Sequence, residues 1–196
     1  MAIEQLITCI NQFAQQQSNP VLSVIPADGC IQKKNRYPDP ILQFGHTGLR
    51  SYYHCHDMTG KPENEHGHFH IFIKLNQTVW SHLAGLSMDH YGQPLQWFTV
   101  NQWVSGESWG ETGQLLDTLK KINSNSKQTL TEHWLTAMLS VYHNTLENLL
   151  LARDNKITKL TETQSNKQVL QDPAIYTLSA CSIDLINDVQ QMSNKK

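Results

Sequence analysis

Between His66 and Ile73 the chain reads His66-Gly67-His68-Phe69-His70-Ile71-Phe72-Ile73, an alternation that admits few structures. Successive side chains of a β-strand point to opposite faces, so Phe69, Ile71 and Ile73 share one face while His66, His68, His70 and Phe72 share the other. The first face belongs to a core. The second is a row of imidazoles, which gain little from burial and repel one another when protonated, so a shared partner is the natural reason for their company.

An upstream run, Ser51-Tyr52-Tyr53-His54-Cys55-His56, repeats the device. His54 and His56 are in phase, and Cys55 alternates to the opposite face as a buried thiol. If the two runs are antiparallel neighbours joined by residues 57–65, facing positions lie about 5 Å apart at Cβ. His54, His56, His66, His68 and His70 then converge and are the candidate metal ligands. Three neutral imidazoles at about 2.0 to 2.1 Å suit catalytic zinc, and two with a carboxylate suit non-haem iron. The cofactor this predicts is one divalent transition metal, zinc or iron.

Carboxylates stand nearby: Asp57 opens the joining loop, and Glu63 and Glu65 close it. Glu65 and His82, which begins the next strand, are the candidate proton-moving groups. Arg50 precedes the first histidine run and is a candidate fork for an anionic substrate. Trp97, Asn101 and Trp103 fall on one face of a strand predicted from Leu95 to Val104 and are candidate walls of a substrate pocket, with Phe98 and Val100 opposite and Glu107 placed to close it. Eight of the ten histidines lie between His46 and His90, and of the ten, His46, His90, His133 and His143 read as ordinary polar residues.

The rest of the chain frames this unit. Ile3, Leu6, Ile7, Ile10 and Phe13 recur at helical spacing, predicting an amphipathic helix that ends at Ser18-Asn19-Pro20. Residues 20–50 carry four prolines and three glycines and allow loops and short strands but no long helix. Runs at Ser51–His56, Gly67–Leu75, Ser81–Met88 and Leu95–Val104 make an antiparallel meander. Beyond Gly113 the pattern is helical: Gln114–Ile122, a polar break at Asn123–Ser126, a long helix from Thr131 capped by Thr129 or Thr131 with Glu132, a polar stretch over 154–172 with no assigned element, and a terminal helix from Ala174 to Met192. The fold class expected is α+β, an antiparallel sheet of about four to six strands flanked on one face by N- and C-terminal helices. It is read as one domain over 1–196: an N-terminal helix (1–18), a β-rich core (20–112) and C-terminal helices (113–196).

Fifteen Lys and Arg against seventeen Asp and Glu leave a net charge of −2, which is no footprint for a phosphate backbone. No apolar run reaches a membrane span, and the first residues lack the basic start and apolar stretch of a secretory signal. A cytoplasmic protein acting on a small molecule, with neither nucleic acid nor membrane as partner, is the expectation. Four scattered cysteines form no C-x-x-C pair, so neither a disulfide framework nor a thiolate zinc knuckle is expected.

The run His66-Gly67-His68-Phe69-His70-Ile71-Phe72 resembles the His-x-His-x-His pattern of histidine-triad nucleotide hydrolases and transferases, and that resemblance implies His68 as a nucleophile toward phosphate. A broader resemblance, over about residues 50–153, is to a family of uncharacterised bacterial proteins. It is carried by Tyr52-Tyr53-His54-Cys55-His56, Glu65-His66-Gly67-His68-Phe69-His70 and Trp97-Phe98-Thr99-Val100-Asn101-Gln102-Trp103-Val104-Ser105-Gly106-Glu107, and implies a unit without an assigned reaction. The leading function is a metal-dependent enzyme of hydrolase or oxygenase type, with an open metal position activating water or dioxygen. A non-catalytic metal- or ligand-binding protein is the alternative, and a histidine-triad nucleotide enzyme the third.

Overall fold

A computed structural model describes residues 2–56, 61–122 and 128–193. Asp57, the polar break at Asn123–Ser126 and the tail Asn194-Lys195-Lys196 lie outside the described residues, as does the His46 side chain. The elements in order are α1 (Ala2–Gln15), β1 (Tyr37–Gln43), β2 (Leu49–His54), β3 (Gly67–Lys74), β4 (Trp80–Met88), β5 (Pro94–Val100), α2 (Gln102–Ser105), α3 (Thr112–Leu119), α4 (Leu130–Val141), α5 (His143–Thr161), α6 (Asn166–Leu170), β6 (Thr177–Ser182) and α7 (Leu185–Ser193). The strands form one six-stranded antiparallel sheet in strict sequence order. The fold is α+β.

The core face follows from the alternation. Phe69, Ile71 and Ile73 of β3, with Leu49, Tyr53, Leu83, Leu86 and Trp97 from other strands, pack against Leu6, Cys9 and Phe13 of α1 and Trp134, Leu135 and Met138 of α4. Burying side chains of this size stabilises by about 1.5 to 3 kcal/mol each, which is what holds α1 and α4 on the sheet. Helix α4 starts at a capping box: Thr129 accepts from the Glu132 backbone N–H, and the Glu132 carboxylate accepts from Thr129. Edge strand β1 contains Pro38 and Pro40, which lack the N–H that another sheet edge would pair with.

Three expectations need correction. The helix predicted over Ala174–Met192 is a strand followed by a helix: β6 pairs with β5 through Thr99↔Ser179 and Phe98↔Ala180, and only Leu185–Ser193 is helical. The single long helix from Thr131 is two, because the backbone departs from helical geometry at Tyr142, with φ −95 and ψ 21. The strand predicted from Leu95 to Val104 stops at Val100. There the Asn101 side chain accepts from the Gln102 N–H, and Gly106, at φ 69, closes a one-turn helix by donating to the Gln102 carbonyl. An asparagine that satisfies local backbone competes with the strand ladder and ends it.

Candidate metal centre

Directly opposed residues of an antiparallel ladder share a face, so the register lays out the histidine face as adjacent rows. One row runs Tyr52–His70–Gly85–Phe98–Ala180 across β2 to β6, and its neighbour runs His54–His68–Ser87–Gln96–Ser182. A bulge in β3–β4 then opposes Phe72 to His82. Gly85 is required here: a Cβ on it would meet the Phe98 ring at 2.2 Å. The missing side chain lets that ring lie beside the imidazoles, 5.3 Å from His68 and 6.0 Å from His70 between centroids.

At the β2–β3 corner one nitrogen from each of His54, His68 and His70 lies within 4.8 Å of the others. His54 Nε2 and His68 Nε2 are 2.8 Å apart. The far nitrogen of His68, Nδ1, donates to Glu65 Oε1 at 2.8 Å, and His70 Nδ1 meets His82 Nε2 at 2.8 Å. Those contacts fix the two rings, and with Nδ1 donating to Glu65 the unprotonated Nε2 of His68 faces His54. His68 and His70 are buried, and the Glu65 side chain is 1% exposed.

Burial keeps this cluster neutral. It lowers the pKa of His68 despite the opposing pull of Glu65, so the contact between them is a neutral N–H donating to a carboxylate, not an ion pair. Burial, reinforced by His68, His56 and Arg36, brings His54 from 6.5 to about 2. Burial with Arg153 and His68 brings His82 to about 3. These groups stay neutral in the fold yet take up protons in the unfolded chain below pH 6.5, so the unfolded state binds more protons as pH falls. Stability of the metal-free protein is therefore whole above pH 6.5 and is lost as pH falls toward 3, at up to about 1.4 kcal/mol per pH unit for each such histidine. Melting temperatures in chelator should fall steadily from about pH 6.5 to about pH 4, and a flat profile would contradict neutral burial.

The remaining candidates are placed as follows. His56 lies just past β2, its ring 4.8 Å from His54 and 5.1 Å from His68, with Nε2 3.1 Å from the Tyr176 hydroxyl. His66 precedes β3, where alternation no longer fixes its face. Its Nδ1 pairs with the Tyr53 hydroxyl at 2.8 Å, reached because Gly67 has no Cβ to meet that phenol. The structure thus does not bring His66 to His68 and His70. His82 sits behind His70 and orients it, rather than facing the convergent nitrogens.

Arg50 is committed to Glu107 by an ion pair and lies between the Phe72 and Trp80 rings, 5.1 and 4.4 Å from their centroids. Trp97 falls on the core face, its ring 6.1 Å from Tyr142. Phe98 takes the place beside the histidines that sequence phase gave to Trp97, because Phe98, not Trp97, opposes Gly85, which in turn opposes His70. Asn101 donates to the Val169 carbonyl at 2.8 Å and Trp103 to the Ile175 carbonyl at 2.9 Å. Both hold the segment that carries Tyr176 to His56. Tyr176 escaped sequence analysis because its segment read as helix; Gly85, an isolated glycine within a strand, was a legible sign of close packing.

A family model described as "Domain of unknown function (DUF6969)" matches residues 1–183. The chain belongs to this family. The matched span takes in all six strands and stops before α7, so the histidine face lies wholly inside the family's domain. No curated protein and no solved structure matches the chain.

Proposed function

We propose that His54, His68 and His70 hold one divalent transition-metal ion, zinc or iron, and that the protein uses it on a small molecule. The observation that carries this reading is the pair of back-side contacts: Glu65 on His68 Nδ1 and His82 on His70 Nδ1 orient two buried rings toward a common point shared with His54. Nitrogens around one tetrahedral ion at about 2.0 to 2.1 Å stand about 3.3 Å apart, so the 2.8 Å between His54 and His68 Nε2 needs only a small spreading of the rings. Neutral imidazoles need lose no proton to serve.

Bound there, such an ion supplies Lewis-acid or redox chemistry at an open position, since three protein ligands are the count of catalytic zinc sites. Glu65 fixes the His68 ring and His82 the His70 ring. Phe98 and Tyr52 keep water from one side; Tyr52 is buried and its ring lies 5.5 Å from that of His70. A non-catalytic binding site is the second reading, favoured by the nearness of His56, which as a fourth ligand would close the coordination.

Cobalt(II) titration of the full chain, followed by visible absorbance, tests both. The enzyme reading expects saturation at about one equivalent and a further spectral change on adding azide, an exchangeable ligand. A spectrum indifferent to azide supports the closed site. No cobalt spectrum at all contradicts both.

Among the described residues no helix is long and apolar enough to cross a membrane.

A further inference from the structure

The row that starts at His54 and His68 continues through Ser87 and Gln96 to Ser182. Ser87 is 0% exposed, yet its Oγ has no hydrogen-bond partner, and neither has the buried Nε2 of Gln96. Glu65 Oε2, beside His68, is likewise buried without one. Unpaired buried polar atoms cost about 1 to 3 kcal/mol each. Two of them in successive strands, Ser87 opposite His68 and Gln96 opposite Ser87, form a pattern that core packing does not require.

The neighbouring row is apolar over the same strands, with Gly85, Phe98 and Ala180. The two rows rise together from full burial at Ser87 and Phe98 to exposure at Ala180 and Ser182 on β6. The face thus sets two unpaired hydrogen-bond donors in the row of His54 and His68, with the Phe98 ring in the row beside them.

We propose that Ser87 and Gln96 form the oxygen-binding half of a ligand site for a small monocarboxylate with an apolar stem, lying beside His68. This rests on the metal reading above. The Ser87 hydroxyl and the Gln96 amide both supply hydrogens, so their complement is an oxygen acceptor. A divalent ion on three neutral imidazoles, with the Glu65 carboxylate nearby, leaves one positive charge unbalanced, and a monoanion balances it. The stem lies against the Phe98 ring, which itself covers Gly85.

The test uses the full chain loaded with cobalt(II), titrated with butyrate and, separately, with butylammonium, and read by visible absorbance and calorimetry. The parent should bind butyrate saturably and not butylammonium. Ser87→Ala removes one donor, and Gln96→Glu places a carboxylate of the same shape in the row, so each should weaken butyrate by about tenfold or more while cobalt uptake is unchanged. Cobalt uptake with no butyrate binding, or with butyrate affinity in both variants equal to the parent's, overturns the monocarboxylate site alone. Absence of cobalt uptake by the parent overturns the metal reading and the inference with it.

Discussion

His68→Ala should lower bound metal from about one equivalent to below about 0.1 after equilibrium dialysis, because it deletes one of three nitrogen donors and a zinc site does not persist on two. The same change strands the Glu65 carboxylate. Its Oε1 loses the His68 N–H and its Oε2 already has no hydrogen-bond partner, in a side chain 1% exposed. That costs about 1 to 3 kcal/mol or more, so the variant will be less stable as well as metal-poor. Glu65→Gln separates the two effects. It leaves the ligand set intact and alters only the group behind His68, and should weaken metal affinity by about 10- to 100-fold in a folded protein. Unchanged stoichiometry in His68→Ala would show that the convergence of His54, His68 and His70 is not a metal site.

Trp97→Ala should do the reverse. Trp97 is 0% exposed on the core face, against the Tyr142 ring that links α4 to α5. Truncating a buried tryptophan to alanine costs about 3 to 5 kcal/mol through lost transfer energy and the cavity left behind. Urea unfolding of the metal-loaded protein should show that loss, while cobalt uptake in the folded variant matches the parent. A variant with near-parent stability and impaired ligand binding would instead put Trp97 on the histidine face and refute the β4–β5 register.

That register marks where the sequence stops being legible. The alternation of β3 separates Phe69, Ile71 and Ile73 from His68 and His70 because one set is wholly apolar and the other is not, so the faces of β3 can be read from residues alone. In β5 both sets contain large aromatics, Trp97 on one side and Phe98 on the other, and period two cannot tell which is inside. The deciding contact, Phe98 over Gly85, joins residues of different strands. Likewise His66 and His56 keep the spacing of strand residues but stand just outside β3 and β2, where the chain turns and Tyr53 and Tyr176 compete for their rings.

Helix periodicity gave α1 and the capped start of α4, since both depend on neighbours within one or two turns. It missed β6, whose Thr177-Leu178-Ser179-Ala180-Cys181-Ser182 has little hydrophobic signal of its own and is a strand because β5 offers it a partner. The site thus divides cleanly. His54, His68, His70, Glu65 and His82 were visible as candidates from spacing, but their arrangement was not: only the side-chain contacts show that Glu65 stands behind His68 and His82 behind His70.

The most direct measurement is elemental analysis of the full chain purified without an affinity tag, before and after dialysis against chelator and reloading with zinc or iron(II). The account predicts close to one equivalent of a single transition metal, removed by chelator and restored on reloading. Less than about 0.1 equivalent in the purified protein, with no uptake on reloading, would contradict it.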